Sequence, residues 1–130
     1  MSEKDLKKLL RGMNPKMNLG EYVFTSIPDG ESDEIEAIGL FKEEEGTTLV
    51  LKREVADKHH LPYDYIASWI TLRVNSSLSA VGLTAAFAGA LAKEGISCNV
   101  VAGFYHDHIF VEKNQGKKAI EILQELAKNT

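Results

Sequence analysis

The residues with the most chemical potential are grouped at a few places in the chain. His106-Asp107-His108 puts two imidazoles two residues apart, which on a strand places them on one face, where they could share a metal ion. A catalytic zinc needs a third protein ligand and an open position, and the other imidazoles, His59 and His60, are remote in sequence. The tripeptide reads equally as a polar turn between strands or as a turn that touches a ligand. Cys98 alternates with Ile96 and Val100, so it points inward as a small core residue and not outward as a nucleophile. Trp69 and Arg73 fall on one side of a strand. They could offer an aromatic and cationic surface to a carboxylate, or cover a second sheet or a subunit contact. The run Glu43-Glu44-Glu45 reads as a solvated loop.

Several chemistries are missing. Gly116-Lys117 is followed by Lys118 where a P-loop needs Ser or Thr, and the upstream glycine is absent. No GxGxxG opens a helix after a strand, and there is no GxSxG elbow. Ala102-Gly103-Phe104-Tyr105-His106 has aromatics at a strand end but lacks the preceding Lys or Arg of an RNA-binding strand. With 15 Lys+Arg against 19 Asp+Glu there is no cationic excess to hold phosphates, so no nucleic-acid partner is expected. The longest uncharged run, residues 75–92, contains Asn, Ser and Thr and is too polar to span a membrane. One cysteine makes no intrachain disulfide and fits a reducing cytoplasm. At 130 residues and 44% hydrophobic composition, the chain is one compact domain or two small interlocked modules.

The elements that must position these groups follow from periodicity. Leu6, Leu9, Leu10 and Met13 define a short amphipathic helix, with Ser2 and Asp5 as a capping pair and Asn14-Pro15 as its end. Strands are expected at 22–27, 35–41 and 47–51, with residues 42–46 as a hairpin loop, then a short helix at 52–60. Residues 65–74 form a strand with Ile66, Ser68, Ile70, Leu72 and Val74 on one face. A cap-rich loop, 75–79, leads to a helix at 80–94 that stops at Gly95. Strands at 96–104 and 108–112 and a helix at 117–128 complete the chain. The second half thus reads β-α-β-β-α, one strand short of a β-α-β-β-α-β unit. Residues 109–123 echo 49–60 as strand, link and helix, which points to a degenerate duplication whose first module has lost its first helix. The strand at 65–74 would then close one sheet and open the next. In the long middle helix Gly82, Ala86 and Gly89 leave one face nearly bare. Close helix-on-sheet packing explains this, as does a helix or ligand contact at a subunit boundary.

The stretch from Ser68 to Leu126 resembles an ACT domain. The likeness is carried by Trp69-Ile70-Thr71-Leu72, Ala80-Val81-Gly82-Leu83, the run from Leu91 through Glu94-Gly95-Ile96-Ser97, His106-Asp107-His108-Ile109-Phe110-Val111, and Ala119-Ile120-Glu121-Ile122-Leu123. Leu6 to Leu10, Asn14-Pro15 and Gly20-Glu21-Tyr22-Val23-Phe24 are similar to the N-terminal piece of small bacterial stand-alone ACT proteins. The resemblance implies an α+β, ferredoxin-like ACT fold of tandem βαββα-type modules, with antiparallel sheets and helices on one face. Residues 1–64 would be the degenerate ACT-like module and 65–130 the ACT domain.

It also implies a non-enzymatic regulatory protein, with no cofactor, that binds an amino acid or similar small metabolite at a module or subunit interface. Such a protein is a homo-oligomer, is cytoplasmic and has no membrane partner. The implied ligand residues are Ser79, Val81 and Gly82, near the loop after the strand, and Asp107 on the later strand. Gly82 has a physical rationale, because a helix start without a side chain lets a carboxylate approach backbone N–H groups. The loop 75–79 differs from that of many amino-acid-binding members in having no acid. A ligand-free ACT scaffold that mediates protein association is the alternative, and a metal-dependent enzyme built on His106 and His108 is a third class.

Overall fold

A computed structural model describes residues 4–130. Its elements run α1 (Leu6–Arg11), β1 (Pro15–Ile27), β2 (Gly39–Glu43), β3 (Gly46–Lys52), α2 (Arg53–Lys58), β4 (Ile66–Leu72), α3 (Leu83–Lys93), β5 (Asn99–Ala102), β6 (Asp107–Glu112), a 3-10 turn (Lys113–Gln115) and α4 (Gly116–Lys128). They form two compact units: the residues up to Asn18 together with Ser68–Thr130, and Leu19–Ala67. Strands β1 and β4 each run from one unit into the other.

The first unit contains the β-α-β-β-α order read from the sequence, as β4-α3-β5-β6-α4. Its strand order is β1-β4-β6-β5, so residues 15–18, at the start of β1, occupy the edge where the last strand of a β-α-β-β-α-β unit belongs. Asn18 fixes that edge: its Nδ2 donates to Trp69 O at 3.2 Å and to Thr71 Oγ1 at 2.9 Å. Alternation sends Ile70 and Leu72 of β4 and Ile109 and Val111 of β6 into a core with Phe87 and Leu91 of α3, Leu123 of α4 and Leu9 of α1, all of them fully buried. Trp69, Thr71, His108 and Phe110 take the opposite face of these strands. The short α1 is capped by Asp5, whose Oδ1 accepts from Lys8 N at 3.2 Å. Asp5 therefore serves as the N-cap itself, while its proposed partner Ser2 lies outside the described residues. Pro15 discourages a right-handed helical Asn14, which takes φ 44 and is clasped by Arg73 through its carbonyl (3.2 Å) and side-chain oxygen (3.0 Å).

The second unit pairs β2-β3-β1 in that order, with the first two residues of β4 beyond β1. The antiparallel register Val23↔Leu51 and Thr25↔Leu49 brings Val23, Leu49 and Leu51 together under Ala56 of α2. Pairing of Glu43 with Gly46 leaves Glu44 and Glu45 as the exposed hairpin loop. Gly46 is required there, since a Cβ would lie 2.7 Å from Ile27 O.

Three expected elements shift. The strand expected at 35–41 begins at Gly39, because Ile35 and Ala37 turn inward from a loop onto the core and pairing with β3 starts only at Ile38 N–H, which donates to Val50 O at 2.7 Å. The expected helix at 80–94 begins at Leu83, because Gly82 adopts φ 98, which no helix interior accepts. Gly82 is thus the N-cap, outside the small-residue face attributed to the helix. The strand expected at 96–104 shortens to Asn99–Ala102, because the chain leaves α3 through Gly95 at φ 77, with Ile96 N bonded back to Leu91 O at 3.0 Å.

The two glycines of this helix should respond oppositely to alanine. Gly89 is exposed, and a Cβ there meets nothing within 4 Å. Gly89→Ala should raise unfolding stability by about 0.5–1 kcal/mol through helix propensity. At Gly82 a Cβ would meet Leu6 Cδ2 at 3.2 Å on a left-handed backbone, so Gly82→Ala should cost about 1–2 kcal/mol. Urea denaturation followed by circular dichroism compares the pair, and equal effects would refute the assignment.

Candidate functional site

The loop between β4 and α3 is folded by its serines. Ser77 Oγ lies 2.8 Å from Ser79 Oγ and accepts from Ser79 N at 3.2 Å, and Ala80 N donates to Ser77 O at 2.9 Å. Gly82 then starts α3 with no side-chain cap. Ala86 N is the first to bond within the helix, to Gly82 O at 2.9 Å. The N–H groups of Leu83, Thr84 and Ala85 therefore lack intrahelical acceptors and carry the positive end of the helix dipole.

These groups line a cleft of about 160 Å³ with Ser76, Ser77, Leu78, Ala80, Gly82, Ala102 and Asp107. Asp107 opens β6 opposite Ala102 of β5 and is only 8% exposed. Among the described residues no hydrogen bond or ion pair reaches its carboxylate. Burial raises its pKa, against a smaller opposing pull from His108. The cleft thus opposes an unpaired, desolvated carboxylate to an uncapped helix start.

Gly82 and Asp107, two of the residues singled out from the sequence, line this cleft, whereas Ser79 and Val81 do not. Ser79 braces Ser77 from an exposed position, and Val81 is 84% exposed. Gly82 has a structural reason to be glycine whatever occupies the cleft: its φ and the neighbouring Leu6. Sequence reasoning missed Ser76, Ser77, Thr84 and Ala102 as lining residues. The hairpin register, which sets Ala102 across from Asp107, is the signal that would have found Ala102.

The neighbouring histidines have other employment. Trp69 Nε1–H donates to His108 Nδ1 at 3.1 Å, which makes that nitrogen an acceptor and places the ring proton on Nε2. Thr71 Oγ1 lies 3.3 Å from the same nitrogen, and the Trp69 ring stacks on Phe110 with centroids 6.1 Å apart. Burial lowers the His108 pKa, reinforced by His106 and opposed by Asp107. His106 precedes β6, and its Nδ1 is buried without a hydrogen-bond partner. Among the described residues no three His, Cys, Asp or Glu side chains are grouped to hold a metal. Burial pushes the half-buried Cys98 thiol up to about 11, so it is not a thiolate at neutral pH. Trp69 and Arg73 are engaged separately, with His108 and with Asn14.

The second unit has a larger open cleft of about 600 Å³, lined by Leu19, Gly20, Glu21, Lys52, Arg53, Glu54 and Asp57. Arg53 is already answered by Glu21 at 2.9 Å and by the Tyr63 hydroxyl at 2.9 Å. Size favours this cleft, but an unsatisfied buried charge is the stronger sign of a ligand, and that lies in the smaller one.

The chain belongs to the ACT-domain family: models of that domain match residues 1–68 and 65–125. A crystal structure of a Vibrio cholerae protein of unknown function, called a possible transport protein, is 48% identical over 95% of this chain and 97% of that one, with a TM-score of 0.86. The ligand-free regulatory subunit of aspartate kinase from Thermus thermophilus shares the fold at 9% identity and TM-score 0.66, over 88% of this chain and 97% of that one. Escherichia coli aspartokinase III, solved with aspartate and ADP, matches 86% of this chain over 32% of its own length, at 10% identity and TM-score 0.64. No curated protein matches the chain. The ferredoxin-like α+β fold is therefore established, and no helix among the described residues is long and apolar enough to cross a membrane.

A pH prediction follows from His108. Its folded pKa lies below that of the unfolded chain, so the unfolded state binds its proton first and stability falls as pH drops through about 6.5 and below. Asp107 acts oppositely: its raised pKa costs stability at neutral pH, and the cost disappears as pH falls through the carboxylate range. His108→Asn keeps an acceptor near Trp69 and should flatten the decline between about pH 7 and 5.5, measured by urea unfolding. Asp107→Asn should raise the ligand-free Tm at pH 7 and leave that decline in place.

Proposed function

We propose that this chain is a non-enzymatic, cytoplasmic regulatory protein that binds an amino acid or similar small metabolite and acts through self-association. The single observation that carries the reading is the pairing, in one cleft, of the buried Asp107 carboxylate with the uncapped start of α3. A zwitterion matches both ends. Its ammonium neutralises Asp107, and its carboxylate accepts from the free N–H groups of the first helical turn, where the helix dipole favours an anion. Membership of the ACT family and the likeness to regulatory parts of aspartate kinases support the reading, and one of those enzymes was solved with aspartate.

Output would follow by linkage, since no catalytic constellation accompanies the cleft among the described residues. Leu78 and Val81 on the serine loop and Phe104 and Tyr105 on the β5–β6 turn are exposed large apolar groups on two segments that border the cleft. Patches of this kind favour contact with another chain. A ligand that prefers one assembly shifts the population toward it by its differential affinity. We assign the two sequence modules as residues 1–64 and 65–130, with the ligand cleft in the second.

The test is a thermal-shift series with the twenty amino acids. At a hundred times its dissociation constant, a ligand selective for the native state adds about 2.7 kcal/mol, so one or a few amino acids should raise Tm by several degrees. Asp107→Asn should abolish the response while remaining folded. Because a protonated Asp107 no longer attracts an ammonium, binding should weaken as pH falls into the carboxylate range. A flat series alongside intact oligomers would replace this reading with the ligand-free scaffold.

A further inference from the structure

The cleft at Asp107 also restricts its occupant, an inference that rests on the amino-acid reading above. We propose that the ligand is a small neutral α-amino acid, in the range from glycine to threonine and valine, and that acidic, basic and aromatic amino acids are excluded.

Size is the first argument. A cleft of about 160 Å³ holds the volume of about five waters. That suits an amino acid of two to five carbons and is too little for a benzyl group or a four-carbon amine. Charge is the second. Asp107 is the lone ionisable side chain among the lining residues, and it is more than nine-tenths buried and unpaired among the described residues. A ligand ammonium satisfies it. Once the α-carboxylate sits on the start of α3, no cation remains for a second carboxylate, which would face Asp107 as a like charge. No second acid remains for another amine. The other walls are hydroxyl groups of Ser76 and Thr84 and methyl groups of Ala85 and Ala102. They suit hydrogen, methyl, hydroxymethyl or a short branched side chain.

Ala102 sets the size limit. It stands directly across the hairpin from Asp107, on the exposed edge strand β5. Enlarging it narrows the cleft without touching the core.

Calorimetric titration on the full chain at pH 7 tests the proposal, with glycine, alanine, serine, threonine and valine against aspartate, lysine and phenylalanine. The best small neutral ligand should bind at least roughly tenfold more tightly than any of the last three. Ala102→Leu should lose threonine and valine before glycine, and Ala85→Leu, on the exposed face of α3, provides a second narrowing if the first fails to fold. Tightest binding by aspartate, lysine or phenylalanine, abolished by Asp107→Asn, would overturn the size and charge limits and leave the amino-acid reading standing. Equal binding of all ligands by both leucine variants would overturn the limits as well. No binding by any of the eight would remove the proposal together with that reading.

Discussion

An unclosed sheet edge is the constraint on which the larger unit depends. A β-α-β-β-α segment leaves one side of its first strand without a partner, and exposed backbone groups there would template association. Residues 15–18 close that edge on β4, held by the two hydrogen bonds of the Asn18 amide. The same Thr71 hydroxyl that receives Asn18 lies against His108 Nδ1, which in turn accepts from Trp69. One polar chain therefore runs from the closing strand across β4 to β6. It ends one residue from Asp107, so the edge closure also fixes the strand on which the cleft's carboxylate stands.

The cleft is costly to the free protein. A desolvated carboxylate with no partner and a helix start with no cap are each destabilising, and an asparagine and a capping serine would relieve them. Their coexistence around one opening is a local violation of the rules the rest of the unit follows. The core beneath it has no such defect: Phe87, Leu91, Ile109 and Leu123 are fully buried and apolar. Sites where local rules fail while their surroundings obey them are where a ligand is expected to restore the balance. The same logic ranks the two clefts. Arg53 has its counter-ion and its phenol in place, so the larger opening asks for nothing.

Much of this was legible in the sequence because it rests on periodicity. The strand face of Ile70 and Leu72, the α4 stripe of Ala119 and Leu123, and the Gly95 stop all follow from spacing and from glycine's conformational freedom. What was not legible rests on partners distant in the chain. Residues 15–18 include Pro15 and Asn18 and lack strand propensity, and they become strand because β4 needs a neighbour. Ile35 and Ala37 alternate like a strand but are loop residues drawn onto a core. At the site, Asp107 and Gly82 carried a chemical signature. Ser76, Thr84 and Ala102 did not, since ordinary small residues become a wall only when a hairpin register and a helix start are brought together.

The two halves of the chain differ where it matters for binding. After β4 the chain folds through serines and Gly82 into α3, eleven residues long, whose first turn opens onto the cleft. After β1 the chain passes Pro28-Asp29-Gly30 and turns through residues 31–38 without a helix, reaching β2 directly. Ile35 and Ala37 cover the core in place of that helix, so packing is restored. The helix N-terminus is not restored, because a loop has no aligned set of free N–H groups at its start. Loss of that helix thus leaves the fold of the second unit intact while removing half of the chemistry that a zwitterion needs. The asymmetry explains why the unpaired carboxylate and the uncapped helix meet in the first unit, whereas the charges of the second are neutralised among themselves.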